Sequence, residues 1–168
     1  MNTSVIPNHR YMRGFNLIEI MITIVILAIV ASIAIPSFEN MTRENRLSSQ
    51  ANSLHSALVY ARSEAIKRND SVRVVADSSN WADGWSVQDG DDEKLRVYAG
   101  LTGGNTLTCS GSACSGDEIE FKGSGEVNNN ESAEFTLCDS GGAHGRKIEL
   151  KMIGRAVVVK DASDACGG

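Results

Sequence analysis

From Phe15 to Ile35 the chain reads FNLIEIMITIVILAIVASIAI, an apolar run whose one charge is Glu19. At ~1.5 Å rise per residue, a helix over this run spans ~30 Å, the hydrocarbon thickness of a bilayer. Pro36 follows, removing a backbone donor from whatever helix contains it. Past it, Ser37 to Arg68 reads as a continued amphipathic helix. Leu47, Ala51, Leu54, Leu58, Ala61 and Ala65 recur at spacings of four and three, a single apolar stripe. Arg46, Gln50, Arg62 and Lys67 fall between them. The alanines in the stripe suit close docking on a sheet better than a coiled coil. Asn69-Asp70 stops the helix. From Ser71 the pattern changes to short alternating runs, which predict strands over Ser71–Ala76, Trp85–Gln88, Leu95–Ala99, Glu118–Lys122, Glu134–Cys138, Arg146–Lys151 and Ala156–Lys160. Polar turn clusters at Asp89–Asp92, Gly103–Asn105 and Asn128–Asn130 separate them. One long helix followed only by strands predicts an α+β fold, the helix laid on an antiparallel sheet.

Composition adds compartment and exclusions. The chain has 168 residues, enough for one compact domain and an appendage. Its net charge of -5 gives the molecule as a whole no attraction for nucleic acid. Before the apolar run, Arg10 and Arg13 stand without an acid, which places the N-terminus in the cytoplasm and the remainder across the membrane. A cleaved signal peptide would also show a basic start and an apolar run, with Ala31–Ala34 as a small-residue site. A plain membrane anchor is the other alternative. Neither gives Glu19 a role, although a carboxylate inside a membrane helix costs roughly 2.5–3.5 kcal/mol at its centre. An intramembrane acid is therefore a functional signal.

The residues Arg13-Gly14-Phe15-Asn16-Leu17-Ile18-Glu19 resemble the processing site of type IV pilins and type II secretion pseudopilins. Further on, Tyr60-Ala61-Arg62-Ser63-Glu64-Ala65, then Trp81 with Gly84-Trp85-Ser86-Val87, Phe135-Thr136-Leu137-Cys138 and Gly154-Arg155 resemble minor pilins of the FimT/FimU group and minor pseudopilin H. The resemblance implies a type IV pilin-like fold with a leader over 1–14, a membrane and filament-core helix over 15–36, and a periplasmic head over 37–168. The head is divided into an amphipathic helix, 37–68, and a β-region, 71–168. It implies cleavage by a prepilin peptidase between Gly14 and Phe15, and N-methylation of Phe15. It also implies a chain held in inner-membrane lipid, then passed through an assembly platform into a filament with major and minor pilins. Glu19 would lie one turn from the freed Phe15 amine, or meet that of a neighbouring subunit, a strong pairing in low dielectric.

Four cysteines, all after Thr108, allow three connectivities in an exported protein. Pairing Cys109 with Cys114 closes a small Ser/Gly loop. Pairing Cys138 with Cys166 resembles the C-terminal staple of the pilin family. For Trp81 and Trp85 the expectation is packing in core and loops.

No catalytic chemistry is legible. His9 falls in the leader, and His55 and His144 have no motif partner; no H-E-x-x-H, G-x-S-x-G or phosphate-loop motif occurs. Cys109 and Cys114 lack the second pair of a zinc site. Asp89, Asp91, Asp92 and Glu93 lack EF-hand spacing and read as an exposed acidic turn. No metal or cofactor is expected. Between Ser140 and Lys160, Arg146, Lys147, Lys151, Arg155 and Lys160 face only Glu149 in sequence, a basic segment open to phosphate. Some FimT-type pilins that take up DNA carry Gly-Arg-x-Arg near the C-terminus. Here Gly154-Arg155-Ala156-Val157 lacks the second arginine, which disfavours DNA as a partner.

The leading expectation is a minor pilin that primes or caps a type IV pilus. A minor pseudopilin of type II secretion and a DNA-binding competence pilin are the alternatives. Replacing Gly14 by leucine should leave the chain unprocessed in the membrane, read as a mass larger by the fourteen leader residues; a normally shortened chain would contradict cleavage at Gly14.

Overall fold

The computed structural model describes residues 16–114, 116–159 and 163–166. Helix α1 runs from Leu17 to Arg68 and contains Pro36. Asn16 opens it: its side-chain oxygen accepts from the Ile18 N–H at 3.4 Å, and its carbonyl accepts from Glu19 and Ile20. Asn69 closes it in the left-handed conformation, φ 52°. There the Asp70 N–H reaches the Ala65 carbonyl at 3.2 Å and the Asn69 N–H the Ile66 carbonyl at 3.3 Å. That pair of bonds satisfies carbonyls the helix end would otherwise leave open.

The chain divides into two units at Asn40/Met41. In the first, every large apolar side chain from Leu17 to Ile35 is exposed. The second unit is the head, where α1 buries Leu47, Ala51, Leu54, Ala57, Leu58, Ala61 and Ala65. These are the residues of the expected stripe, with Ala57 added.

Two sheets form the rest of the head, where the alternation predicted one. The first has the order β3-β2-β1-β5, from Val72–Ala76 (β1), Gly84–Asp89 (β2), Lys94–Ala99 (β3) and Glu118–Phe121 (β5). The second has the order β4-β6-β7-β8, from Thr106–Ser110 (β4), Ala133–Cys138 (β6), Gly145–Leu150 (β7) and Ala156–Val159 (β8). All pairings are antiparallel. Strand β4 lies outside the runs that alternation predicts. Its TLTCS sequence has one large apolar residue, Leu107, set opposite Leu137, while its Thr and Ser side chains alternate outward as a loop's would. Local hydropathy cannot assign strands to sheets, because the split is decided by pairing between distant segments.

One core joins these parts. Val72, Val74 and Val87 from the first sheet, Phe135, Leu137, Ile148 and Leu150 from the second, and the α1 stripe form a single buried cluster. Trp81 sets its ring edge-on to Phe135 at 4.9 Å, and Trp85 stacks on Tyr98 at 5.9 Å. Both tryptophans are buried core residues. Each large side chain in such a core contributes about 1.5–3 kcal/mol by leaving water. Leu54→Ala should therefore lower head stability by about 2–5 kcal/mol in urea unfolding. Val59→Ala on the exposed face of α1 should change it by about 0.5 kcal/mol or less; equal effects would contradict the assigned face.

Candidate assembly and contact sites

Glu19 lies in the first turn of α1, where the helix dipole favours an acid. It is exposed, and no cation pairs with it among the described residues. The neighbouring Thr23 hydroxyl is turned back onto the Glu19 carbonyl. Ser32 likewise donates to the Ile29 carbonyl at 2.7 Å. The polar side chains of this segment thus bond within their own helix, which suits apolar surroundings. Glu19 has no such internal partner. Gly14 and Phe15, the expected cleavage and methylation positions, lie outside the described residues.

Two disulfides close the β-region. Cys109 on β4 joins Cys114, with Cα atoms 5.7 Å apart, and Cys138 at the end of β6 joins Cys166, at 5.6 Å. The second bridge ties the segment after β8 back to the centre of the second sheet.

The basic residues of β7 and its surroundings do not form one face. Arg146 shares the inward side of β7 with Ile148 and Leu150; its Nη2 pairs with Glu44 of α1. Lys147 points the other way and pairs with Glu134 on β6 at 2.9 Å. Lys151 pairs with Glu149 at 2.7 Å, and this hydrogen bond holds the Glu149 carboxyl below its ordinary range. Carboxylates from α1 and β6 thus enter a region that the linear count showed as basic. Arg155 is exposed and unpaired among the described residues; Lys160 lies outside them.

Gly154, which precedes Arg155, is set by packing. Its φ is 75°, and a Cβ there would come within 2.0 Å of the Gly125 carbonyl oxygen. The same oxygen accepts from Arg62 Nε at 2.9 Å, so the helix and two hairpin turns meet at this point.

A second cluster had no sequence signal. Glu44 receives Arg146 and also contacts His144 Nδ1 at 3.0 Å. Beside it, Arg43 lies 4.0 Å from Asp139, a nearly buried carboxylate that accepts the His144 N–H at 3.0 Å. Residues about a hundred positions apart are brought together here, and no local spacing announces such a pairing. In the other direction, His55 Nε2 lies 3.3 Å from the Ala156 carbonyl, a structural contact. The acidic turn is internally engaged: Asp89 accepts from the N–H groups of Asp91 and Glu93 and pairs with Arg68 at 3.0 Å, while Asp92 pairs with Arg73. Among the described residues no group of three or more His, Cys, Asp or Glu side chains is arranged to hold a metal.

Against this geometry the family comparisons are specific. The sequence model described as type II transport protein GspH matches residues 50–154, and the prokaryotic N-terminal methylation motif matches residues 9–35. The chain belongs to the GspH family. No curated protein matches the sequence. Among solved structures, this GspH-family protein resembles the type IV minor pilin FimU of Pseudomonas aeruginosa. The TM-score is 0.60 at 23% identity, over 74% of this chain and 94% of that one. It also resembles the minor pseudopilin EpsH from the Type 2 Secretion System of Vibrio cholerae. There the TM-score is 0.55 at 14% identity, over 68% of this chain and 97% of that one. The shared fold is that of type IV pilins, a long N-terminal helix with antiparallel sheets.

The two bridges differ in the chain they restrain. Removing Cys138–Cys166, whose partners are 28 residues apart, should destabilise the head by about 3–4 kcal/mol in the loop-entropy model. Removing Cys109–Cys114, 5 apart, should cost about 2 kcal/mol. Urea unfolding of the paired Cys→Ser variants reads both; a larger loss at the short loop would contradict this ranking.

Proposed function

We propose that this GspH-family protein is a minor pilin of a type IV pilus, acting in priming assembly or near the filament tip. The observation that carries the proposal is the joint placement of Glu19 and the apolar run. An exposed apolar helical segment begins with an acid that has no cationic partner among the described residues, directly after a processing motif. Such a helix requires lipid first and other subunits afterwards. A carboxylate in that setting is favoured only if a cation is brought to it, and the amine of a processed N-terminus supplies one. The steps before assembly follow from this reading: cleavage after Gly14 by a prepilin peptidase, methylation of Phe15, and residence in the inner membrane with the head in the periplasm. The platform and the other pilins are its partners.

A second reading, a minor pseudopilin of type II secretion, is supported by the name of the matched family. The fold serves both. Deleting the gene separates them by phenotype: loss of surface pili and surface motility for the first, retention of exported proteins in the periplasm for the second.

Glu19→Val tests the shared assembly step. It removes a charge from the apolar run, so membrane insertion should hold or improve, and the head, whose core lies beyond Met41, should fold as before. Incorporation into sheared filaments, relative to the amount in membranes, should fall strongly. Wild-type incorporation would show that the acid does not guide assembly.

A further inference from the structure

Between Phe15 and Met21 the chain carries two polar side chains, Asn16 and Glu19. Helix α1 begins at Leu17, so Asn16 stands at the N-cap and Glu19 is the third helical residue. The Asn16 side-chain oxygen accepts from the Ile18 N–H at 3.4 Å. Its carbonyl accepts from the N–H groups of Glu19 at 3.0 Å and Ile20 at 3.3 Å. An acid at the third helical position commonly closes a capping box, its carboxylate reaching back to the N–H of the N-cap residue. That closure is not made here. Glu19 is exposed, and among the described residues no hydrogen bond joins its carboxylate to Asn16. Thr23 and Ser32 turn their hydroxyls onto carbonyls of the same helix, which leaves Glu19 as the uncommitted polar group of this segment.

Two acceptors thus stand beside the N–H groups of a helix start that has to exist in apolar surroundings, the Asn16 amide oxygen and the Glu19 carboxylate. The carboxylate is the stronger, being charged and placed at the positive end of the helix dipole. Without the amide oxygen it would be drawn onto its own backbone. A subunit amine would then have to displace it before pairing.

We infer that Asn16 is the positioning residue for Glu19: as N-cap it serves the helix start, so that the Glu19 carboxylate stays available to a subunit amine. This inference rests on the filament reading above and adds a residue to it.

The test compares Asn16→Ala, Asn16→Ser and Asn16→Gln in the full chain, each read as the amount in sheared filaments per processed chain in membranes. Serine caps a helix about as well as asparagine, and alanine does not. Glutamine keeps the amide but is not among the favoured N-caps. The Ala and Gln variants should fall about fivefold, the ratio that a typical lost cap sets, and the Ser variant should stay within about twofold of the unmodified chain. Added to Glu19→Val, Asn16→Ala should lower incorporation no further, because Asn16 acts through the acid. Four results overturn the inference: full incorporation of the Ala or Gln variant, a loss at Ser equal to that at Ala, a further loss in the Glu19→Val background, which marks plain fraying of the helix, or a loss that tracks unprocessed chain, which assigns Asn16 to cleavage. Each leaves the filament reading standing while the unmodified chain is found in filaments; its absence from them overturns both.

Discussion

The apolar helix from Leu17 to Ile35 cannot remain in water, and the rest of the molecule is organised around that fact. Every large side chain in it is exposed, so its hydrophobic surface has to be covered by something outside the described chain. Lipid covers it before assembly and other subunits cover it afterwards. On the proposed reading Glu19 makes the second environment specific: an uncompensated carboxylate is disfavoured in both, and the amine of a processed Phe15, its own or a neighbouring subunit's, would offset it.

The head solves a different problem with the same helix. Beyond Met41, α1 turns its Leu and Ala stripe into a core shared by two four-stranded sheets. The alanines at 51, 57, 61 and 65 let the strands approach closely. Ion pairs at Arg43, Glu44, Asp139 and Arg146 then bind the start of this helical segment to the β6–β7 turn. Next to them, the Cys138–Cys166 bridge holds the C-terminal segment on the same sheet.

Much of this was legible in the sequence, for identifiable reasons. The helix stripe and its stop at Asn69 follow from a 3.6-residue period and a residue tolerant of positive φ. Strands β1, β2, β3, β5, β6, β7 and β8 carry enough alternating apolar residues to announce themselves. Strand β4 does not, because Thr106, Thr108 and Ser110 look like a turn until Leu107 is set against Leu137. The division into two sheets was hidden for a related cause: alternation reports which residues face inward, not which strand lies next to which. The basic segment after Ser140 shows the limit for sites. Counted along the chain it opposes one acid; in three dimensions Glu44 and Glu134 join it, and alternation puts Arg146 and Lys147 on opposite faces of β7. Charge patches made by neighbours in sequence are reliable on helices at fixed spacing, and unreliable across a sheet.

The central claim is that the apolar helix is kept in the working protein and carried into a filament. Mass spectrometry of the chain recovered from sheared filaments tests it most directly. The account predicts a chain present in the filament fraction whose first residue is an N-methylated Phe15, with the segment through Ile35 intact. A mature chain that begins near Ile35 and occurs only in the soluble periplasmic fraction would contradict it.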